Sequence, residues 1–286
     1  MSFFYALLEL RGNGLGKFTD ALAKLEKNKT SKNGDAVTLL GADADLLNDD
    51  AAHSTKIDEK IVSYYMPQTF DAEQFRLLKT GLLFSKNNKV PRTIMVTSAE
   101  PDDGKSFIAA NLAITFAKSV DSHVVLMDCD LRNSTIHKLF GLPDNGKGLS
   151  DWLNENINLK EMLNKTHIDK LTIIPGGKHP NNPTELLSSA RMLKLLDELK
   201  SRYDDRYIII DSPPPLLTAE AIAISRLVDG VVIVVRHEKT SRNTLKKMIE
   251  VLDKEKILGV ILNRYDVRAD KYYGHGKYGK YYNSKS

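Results

Sequence analysis

Cysteine is all but missing from this chain. Cys129 is the only one in 286 residues, so no disulfide can close within it. A lone thiol fits a reducing compartment and excludes a cysteine-stapled secreted scaffold. Long apolar runs are missing as well. No stretch reaches the roughly 18 residues needed to span a bilayer. The apolar segment at 3–8 also lacks the basic flank and cleavage site of a secretory signal. The expectation is a soluble, cytoplasmic protein. Charge of one sign is scarce too. The net charge is +4, and residues 264–286 carry six Lys/Arg against two Asp, which is the entire excess. A neutral body gives no global case for nucleic-acid binding, and no nucleic-acid partner is expected. No Cys/His metal spacing occurs anywhere.

What is present is ordinary enough for a full core: 42% apolar and 27% charged residues. Residues 1–66 mix short helical patterns, such as Phe18, Ala21, Leu22 and Leu25, with polar breaks. They read as an N-terminal arm, partly helical or disordered. From Pro67 the texture changes. Residues 71–84 place Phe75, Leu78 and Leu82 on one stripe, which predicts an amphipathic helix. After Pro91, short apolar runs at 93–98, 124–127, 171–174, 207–210, 231–235 and 257–262 alternate with helical patterns at 105–119, 184–201, 217–226 and 241–254. Alternation of this kind predicts an α/β domain over 67–264, with a mostly parallel central sheet flanked by helices. Residues 265–286 show no apolar period and read as a flexible tail.

The first motif is a strand-like run, Thr93-Ile-Met-Val-Thr-Ser98, a loop, Ala99-Glu-Pro101-Asp102-Asp103-Gly104-Lys105-Ser106, and a helical run from Phe107. Strand, tight loop ending Gly-Lys-Ser, and helix is the context of a phosphate-binding P-loop. Loop amides and the helix N-terminus point N–H groups at phosphate oxygens. Gly104 permits close backbone approach, Lys105 neutralises the β/γ-phosphates, and the Ser106 hydroxyl ligates Mg²⁺. Two departures stand out: Ala99 replaces the usual first glycine, and Asp102 and Asp103 set carboxylates beside a polyanion.

Two further runs end in carboxylates. Val124-Val-Leu-Met-Asp128-Cys-Asp130-Leu-Arg132 and Tyr207-Ile-Ile-Ile-Asp211-Ser-Pro-Pro-Pro215 each deliver aspartate to a strand's carboxyl end. Ligands of open α/β sheets bind at that edge. Asp211 reads as a Walker-B carboxylate, and with Ser106 and Asp130 it forms the candidate metal set. With Lys105, these residues define a candidate site for ATP and Mg²⁺. Asp128 is the candidate acceptor of a substrate proton, with Asp130 in the metal shell, and the two roles are exchangeable. Arg132 is placed to pair with a carboxylate or an oligomer neighbour.

The Asp128-x-Asp130-x-Arg132 motif, the Asp211-x-Pro-Pro motif and the deviant P-loop together resemble the bacterial tyrosine kinases of capsule and exopolysaccharide synthesis, relatives in fold of the Min/Par ATPases. Asn182-Pro-Thr-Glu-Leu-Leu187 resembles their Asn-Pro-x-Glu-Leu segment. Ile261-Leu-Asn263-Arg264 resembles the segment whose asparagine touches adenine, adding Asn263 and Arg264 to the nucleotide-binding candidates. Glu73-Gln-Phe-Arg76-Leu-Leu-Lys79 resembles their oligomerisation helix, with Lys79 in place of arginine. The resemblance implies an autokinase working as a homo-oligomeric ring, with a membrane polysaccharide co-polymerase as activator that recruits it to the inner face of the plasma membrane. It implies protein tyrosines as substrate, and the tail supplies them. Tyr265, Tyr272, Tyr273, Tyr278, Tyr281 and Tyr282 are six of eleven tyrosines. Alone, such a basic, aromatic, glycine-rich tail equally suits RNA or a membrane surface. Beside a phosphate-transfer site it reads as phosphoacceptor. A Min/Par-like ATPase acting in localisation remains the alternative, although Glu100 occupies the neighbourhood where those proteins place an additional lysine.

Overall fold

The computed structural model describes residues 56–84, 90–155, 157–201 and 206–265. In chain order the elements are α1 (Val62–Tyr65), α2 (Phe70–Leu83), β1 (Thr93–Ser98), α3 (Lys105–Ala117), β2 (His123–Asp128), α4 (Ile136–Leu139), α5 (Leu149–Asn154) and α6 (Leu159–Met162). Then come β3 (Asn164–Lys165), β4 (Leu171–Ile174), α7 (Pro183–Leu187), α8 (Ala190–Ser201), β5 (Arg206–Asp211), α9 (Ala219–Leu227), β6 (Gly230–Arg236), α10 (Arg242–Val251) and β7 (Ile257–Asn263). The strands form one seven-stranded sheet ordered β3-β4-β2-β5-β1-β6-β7. Every pairing is parallel except the short β3–β4 edge.

The apolar runs become central strands because both of their faces are covered. Alternate residues point to opposite faces. Ile94 and Val96 join the cluster under α2 and α3, whereas Met95 packs with the cluster under α8, α9 and α10. Helix α3 is buried from Ile108 through Ala117, which explains why its sequence is apolar all round rather than striped. Among the described residues no helix is long and apolar enough to cross a membrane.

Three details differ from the reading of the sequence. The expected boundary at 66/67 falls inside packed structure. Ile57, Ile61 and Val62 are buried against α3, and Ser63 N–H donates to buried Asn111 Oδ1 at 2.9 Å. Each such aliphatic side chain contributes about 1.5–3 kcal/mol, so this stretch is fixed to the domain. The helix expected at 184–201 is two helices. The Ser188 and Ser189 hydroxyls donate to Thr184 and Leu186 carbonyls, and Ser189 Oγ then accepts from Met192 N–H as the cap of α8. Finally, β3 and the short helices α4, α5 and α6 carry no periodic signal and were not expected.

Candidate active site

Connectivity places the site. The chain leaves β1, passes through α3 and returns at β2, leaving room for β5 between them. In the resulting register Asp128 lies beside Asp211, and Asp211 beside Val96. The P-loop therefore emerges next to both carboxylates. Lys105 opens α3, and its Nζ lies 2.8 Å from Asp130 Oδ2 and 4.0 Å from Asp211 Oδ1. Burial alone would lower the lysine pKa, but the charges of Asp211 and Asp130 outweigh it and hold the ammonium well above its ordinary value.

The three aspartates have different surroundings. Asp128 is fully buried. Its Oδ2 accepts from Ser134 Oγ (2.7 Å), Thr135 N (2.9 Å) and Ile136 N (3.0 Å), while its Oδ1 accepts only from Asp130 N (3.1 Å). Burial pushes its pKa up against these bonds. Asp130 gives one oxygen to Asn133 N–H at 3.1 Å and the other to Lys105. Asp211 is fully buried, and neither of its oxygens has a hydrogen bond of normal geometry. Burial drives it up to about 7, with Lys105 and the neighbouring Ser106 hydroxyl pulling the other way. Unsatisfied oxygens this deep call for a cation. No three acidic, histidine or cysteine groups close into a metal cage among the described residues. Mg²⁺ needs none, because it takes one or two carboxylates plus phosphate oxygens and water. Asp211 with Ser106 and Asp130 fits that requirement. Cys129, between the two aspartates, is a buried thiol whose pKa is pushed far up by burial and by these carboxylates.

The P-loop resolves both departures noted in its sequence. Ala99 is 2% exposed and fills core space, with its N–H on Val234 O. Asp103 is completely buried, and its Oδ2 accepts from Glu100 N at 3.0 Å and Thr240 Oγ1 at 3.2 Å. Its carboxylate thus braces the loop. Asp102 takes the left-handed φ of 63°, and Gly104 one of 97°. A Cβ on Gly104 would stand 2.1 Å from Asn263 Nδ2, so only glycine fits there. Asn263 donates to Asp103 O at 2.7 Å, and its Oδ1 accepts from Arg264 N–H at 2.9 Å. An open groove of about 850 Å³, lined by Gly104, Phe107, Lys138, Asn263 and Arg264, continues from the loop.

The other candidates divide. Arg132 is paired with a buried carboxylate, Glu220 Oε1, at 2.7 Å. In α2, Arg76 bonds Glu73 at 2.5 Å and Pro67 O at 2.8 Å, while Lys79 reaches Ser119 Oγ at 2.8 Å. Tyr265 is 4% exposed and stacks edge-on with His237, so it belongs to the core and not to an accessible tail. The remaining five tail tyrosines, Tyr272, Tyr273, Tyr278, Tyr281 and Tyr282, lie outside the described residues. Sequence reasoning missed Thr240 and Lys239, which brace the loop from the far side of β6. Lys239 donates to Pro101 O at 2.8 Å. It also missed Glu220 and Ser134. Of these only Glu220, a carboxylate in the first turn of an expected helix, carried any signal.

Comparison with known proteins agrees with this geometry. A family model described as an AAA domain matches residues 92–258. The tyrosine-protein kinase YwqD of Bacillus subtilis (strain 168) is 34% identical over 233 residues, covering 81% of this chain and 94% of that protein. The kinase domain of the Escherichia coli tyrosine kinase ETK superposes with a TM-score of 0.70 at 30% identity, covering 79% of this chain and 87% of that one. More distantly, the septum site-determining protein MinD of Pyrococcus horikoshii OT3, solved with Mg-ADP, superposes with a TM-score of 0.51 at 25% identity, covering 61% of this chain and 70% of that one. With a P-loop lysine buried among carboxylates from β2 and β5 and these relatives beside it, the chain belongs to the bacterial tyrosine kinases, a branch of the nucleotide-binding AAA-domain fold.

Proposed function

We propose that the chain transfers the γ-phosphoryl group of ATP to tyrosines of its own C-terminal segment, from one subunit to its neighbour, in the control of capsule or exopolysaccharide synthesis. The observation that carries this reading is the convergence of Lys105 with Asp130 and Asp211, beside Asp128, at the mouth of the P-loop. Little covalent chemistry is asked of a protein in phosphoryl transfer, so positioning and charge neutralisation do most of the work.

Lys105 and the loop amides hold the phosphates. A triphosphate competes with Asp130 and Asp211 for the ammonium, and turning Lys105 toward it uncovers these carboxylates. Asp211, Asp130 and Ser106 are the residues that would hold Mg²⁺. Bound there, the ion would supply positive charge to the phosphate oxygens. Asp128 accepts the tyrosine proton through Oδ1, the oxygen that keeps a free lone pair. Arg132, tied to Glu220, orients the loop that carries Asp130. Asn263 and Arg264 border the groove suited to the nucleoside. The acceptors are Tyr272, Tyr273, Tyr278, Tyr281 and Tyr282; buried Tyr265 is not among them. The half-buried Glu73, Arg76 and Lys79 of α2 serve subunit assembly, and a membrane-spanning co-polymerase brings the ring to the membrane. Several phosphates on the basic tail reverse its charge and favour disassembly.

Purified protein incubated with Mg-ATP should gain phosphotyrosine on the tail, mapped by mass spectrometry, and Lys105→Met should abolish it. Phosphate release without phosphotyrosine, with or without the cytoplasmic segment of the co-polymerase, would favour the Min/Par-like ATPase.

A further inference from the structure

Behind the site, four side chains run in a row from a buried carboxylate to the surface. Ser134 Oγ lies 2.7 Å from Asp128 Oδ2 and 3.3 Å from His137 Nδ1, and His137 Nε2 lies 2.7 Å from Asp144 Oδ1. His137 is 13% exposed, whereas Asp144 is 76% exposed. None of Ser134, His137 and Asp144 has a part in the reaction as described above.

The donor inventory assigns the serine proton. A serine hydroxyl has one proton to give. The shorter contact assigns it to Asp128, and His137 Nδ1 lies against the same oxygen from the other side. Packing holds the hydroxyl in place, because a Cβ on Gly176 would stand 2.7 Å from Ser134 Oγ and 2.9 Å from Ser134 Cβ. The backbone after β4 therefore closes directly on this serine. Its proton joins those of the Thr135 and Ile136 amides on a single oxygen of Asp128, Oδ2. Three donors exhaust that oxygen and leave the open lone pair on Oδ1.

We propose that Ser134 is a positioning residue for phosphoryl transfer: held between His137 and the backbone at Gly176, it gives its proton to Asp128 Oδ2, so that Oδ1 is the oxygen presented to the tyrosine hydroxyl. This rests on the reading of Asp128 as proton acceptor. Without the Ser134 proton, Oδ2 keeps only its two amide donors and regains a lone pair that competes with Oδ1 for the tyrosine proton.

The test uses the full chain with Mg-ATP and compares Ser134→Ala, His137→Asn, His137→Gln and Asp128→Asn. Asparagine places an amide near the position of Nδ1, and glutamine near that of Nε2. Ser134→Ala should lower the rate constant of autophosphorylation about tenfold or more, with KM for ATP within about twofold. His137→Asn, able to donate to Ser134, should retain most of the rate. His137→Gln, which keeps only the Asp144 contact, should lose about as much as Ser134→Ala. A merely structural tie would give the reverse order, since glutamine preserves the link to Asp144. In the Asp128→Asn background, Ser134→Ala should cost nothing further. Wild-type rates in Ser134→Ala, or glutamine milder than asparagine, overturn the proposal, while an inactive Asp128→Asn leaves the reading of Asp128 standing. An active Asp128→Asn overturns both. Should Ser134→Ala fail to fold, the histidine pair decides.

Discussion

Asp229 and Asp211 flank opposite edges of the same sheet, and their surroundings are opposite in kind. Asp229, at the amino edge, accepts from Arg92 N–H at 3.0 Å and Thr93 N–H at 2.9 Å and faces Lys200 Nζ at 3.2 Å. Partial burial works against it, but the bonds to Thr93 prevail and hold its pKa below the ordinary value. Asp211, at the carboxyl edge, is wholly buried, lacks hydrogen bonds of normal geometry and is driven up to about 7. One carboxylate is completed by its own chain and ties a strand start in place. The other is left incomplete, at a cost in stability, where a ligand can complete it. Buried strain of that sort marks the working end of a fold.

The contrast can be broken most forcefully at Asp211. Asp211→Asn should lower autophosphorylation by about 10³-fold, because it removes a carboxylate that would hold Mg²⁺ against the phosphates. Asp229→Ala should keep the rate within about twofold of wild type, yet cost about 1–3 kcal/mol in denaturant unfolding by stranding two amide donors. Their pH dependences should carry opposite signs. The fold holds a proton on Asp211 between the ordinary 3.8 and about 7, so without magnesium this residue makes the protein less stable as pH rises through that window. Asp229, with its depressed pKa, adds stability above the ordinary carboxylate pKa that is lost as pH falls through its folded value. Calorimetry from about pH 2 to 8 on the two variants separates the contributions, and Asp211→Asn should flatten the decline. The smallest effect belongs to Tyr265→Phe. Because that ring is in the core, mass spectrometry should find tail phosphotyrosine unchanged; a clear loss at this position would put Tyr265 back among the acceptors.

The same contrast explains what could be read in advance. Continuous runs of aromatic and β-branched residues such as Tyr207-Ile-Ile-Ile and Val231-Val-Ile-Val-Val identify central parallel strands, and an aspartate ending such a run must emerge at the ligand edge. Asp128, Asp130 and Asp211 were legible on those grounds, and Lys105 from the Gly104-Lys-Ser loop between strand and helix. Local hydrogen bonding was not. The break at Ser188 and Ser189, the bracing of the P-loop by Thr240, and Ser134 on Asp128 depend on hydroxyls whose partners are fixed only by the tertiary structure. Tyr265 resembles its tail neighbours in sequence, but it follows β7 directly and packs beside that strand's end, where proximity to the core outweighs composition. Ile57 and Ile61 were passed over for the opposite reason: a short segment without a period is buried because α3 offers it an apolar surface.

The central claim is that Lys105 and the carboxylates around it form one receptor for a magnesium-bound triphosphate, left incomplete at Asp211. Thermal unfolding of wild type and Asp211→Asn, each alone and with magnesium plus a non-hydrolysable ATP analogue, tests it directly. Alone, the asparagine variant should melt at or above the wild type, because a buried carboxylate whose oxygens lack hydrogen bonds is gone; with the ligands, only the wild type should gain stability. A variant that melts well below wild type on its own, yet gains as much from magnesium and nucleotide, would contradict the claim.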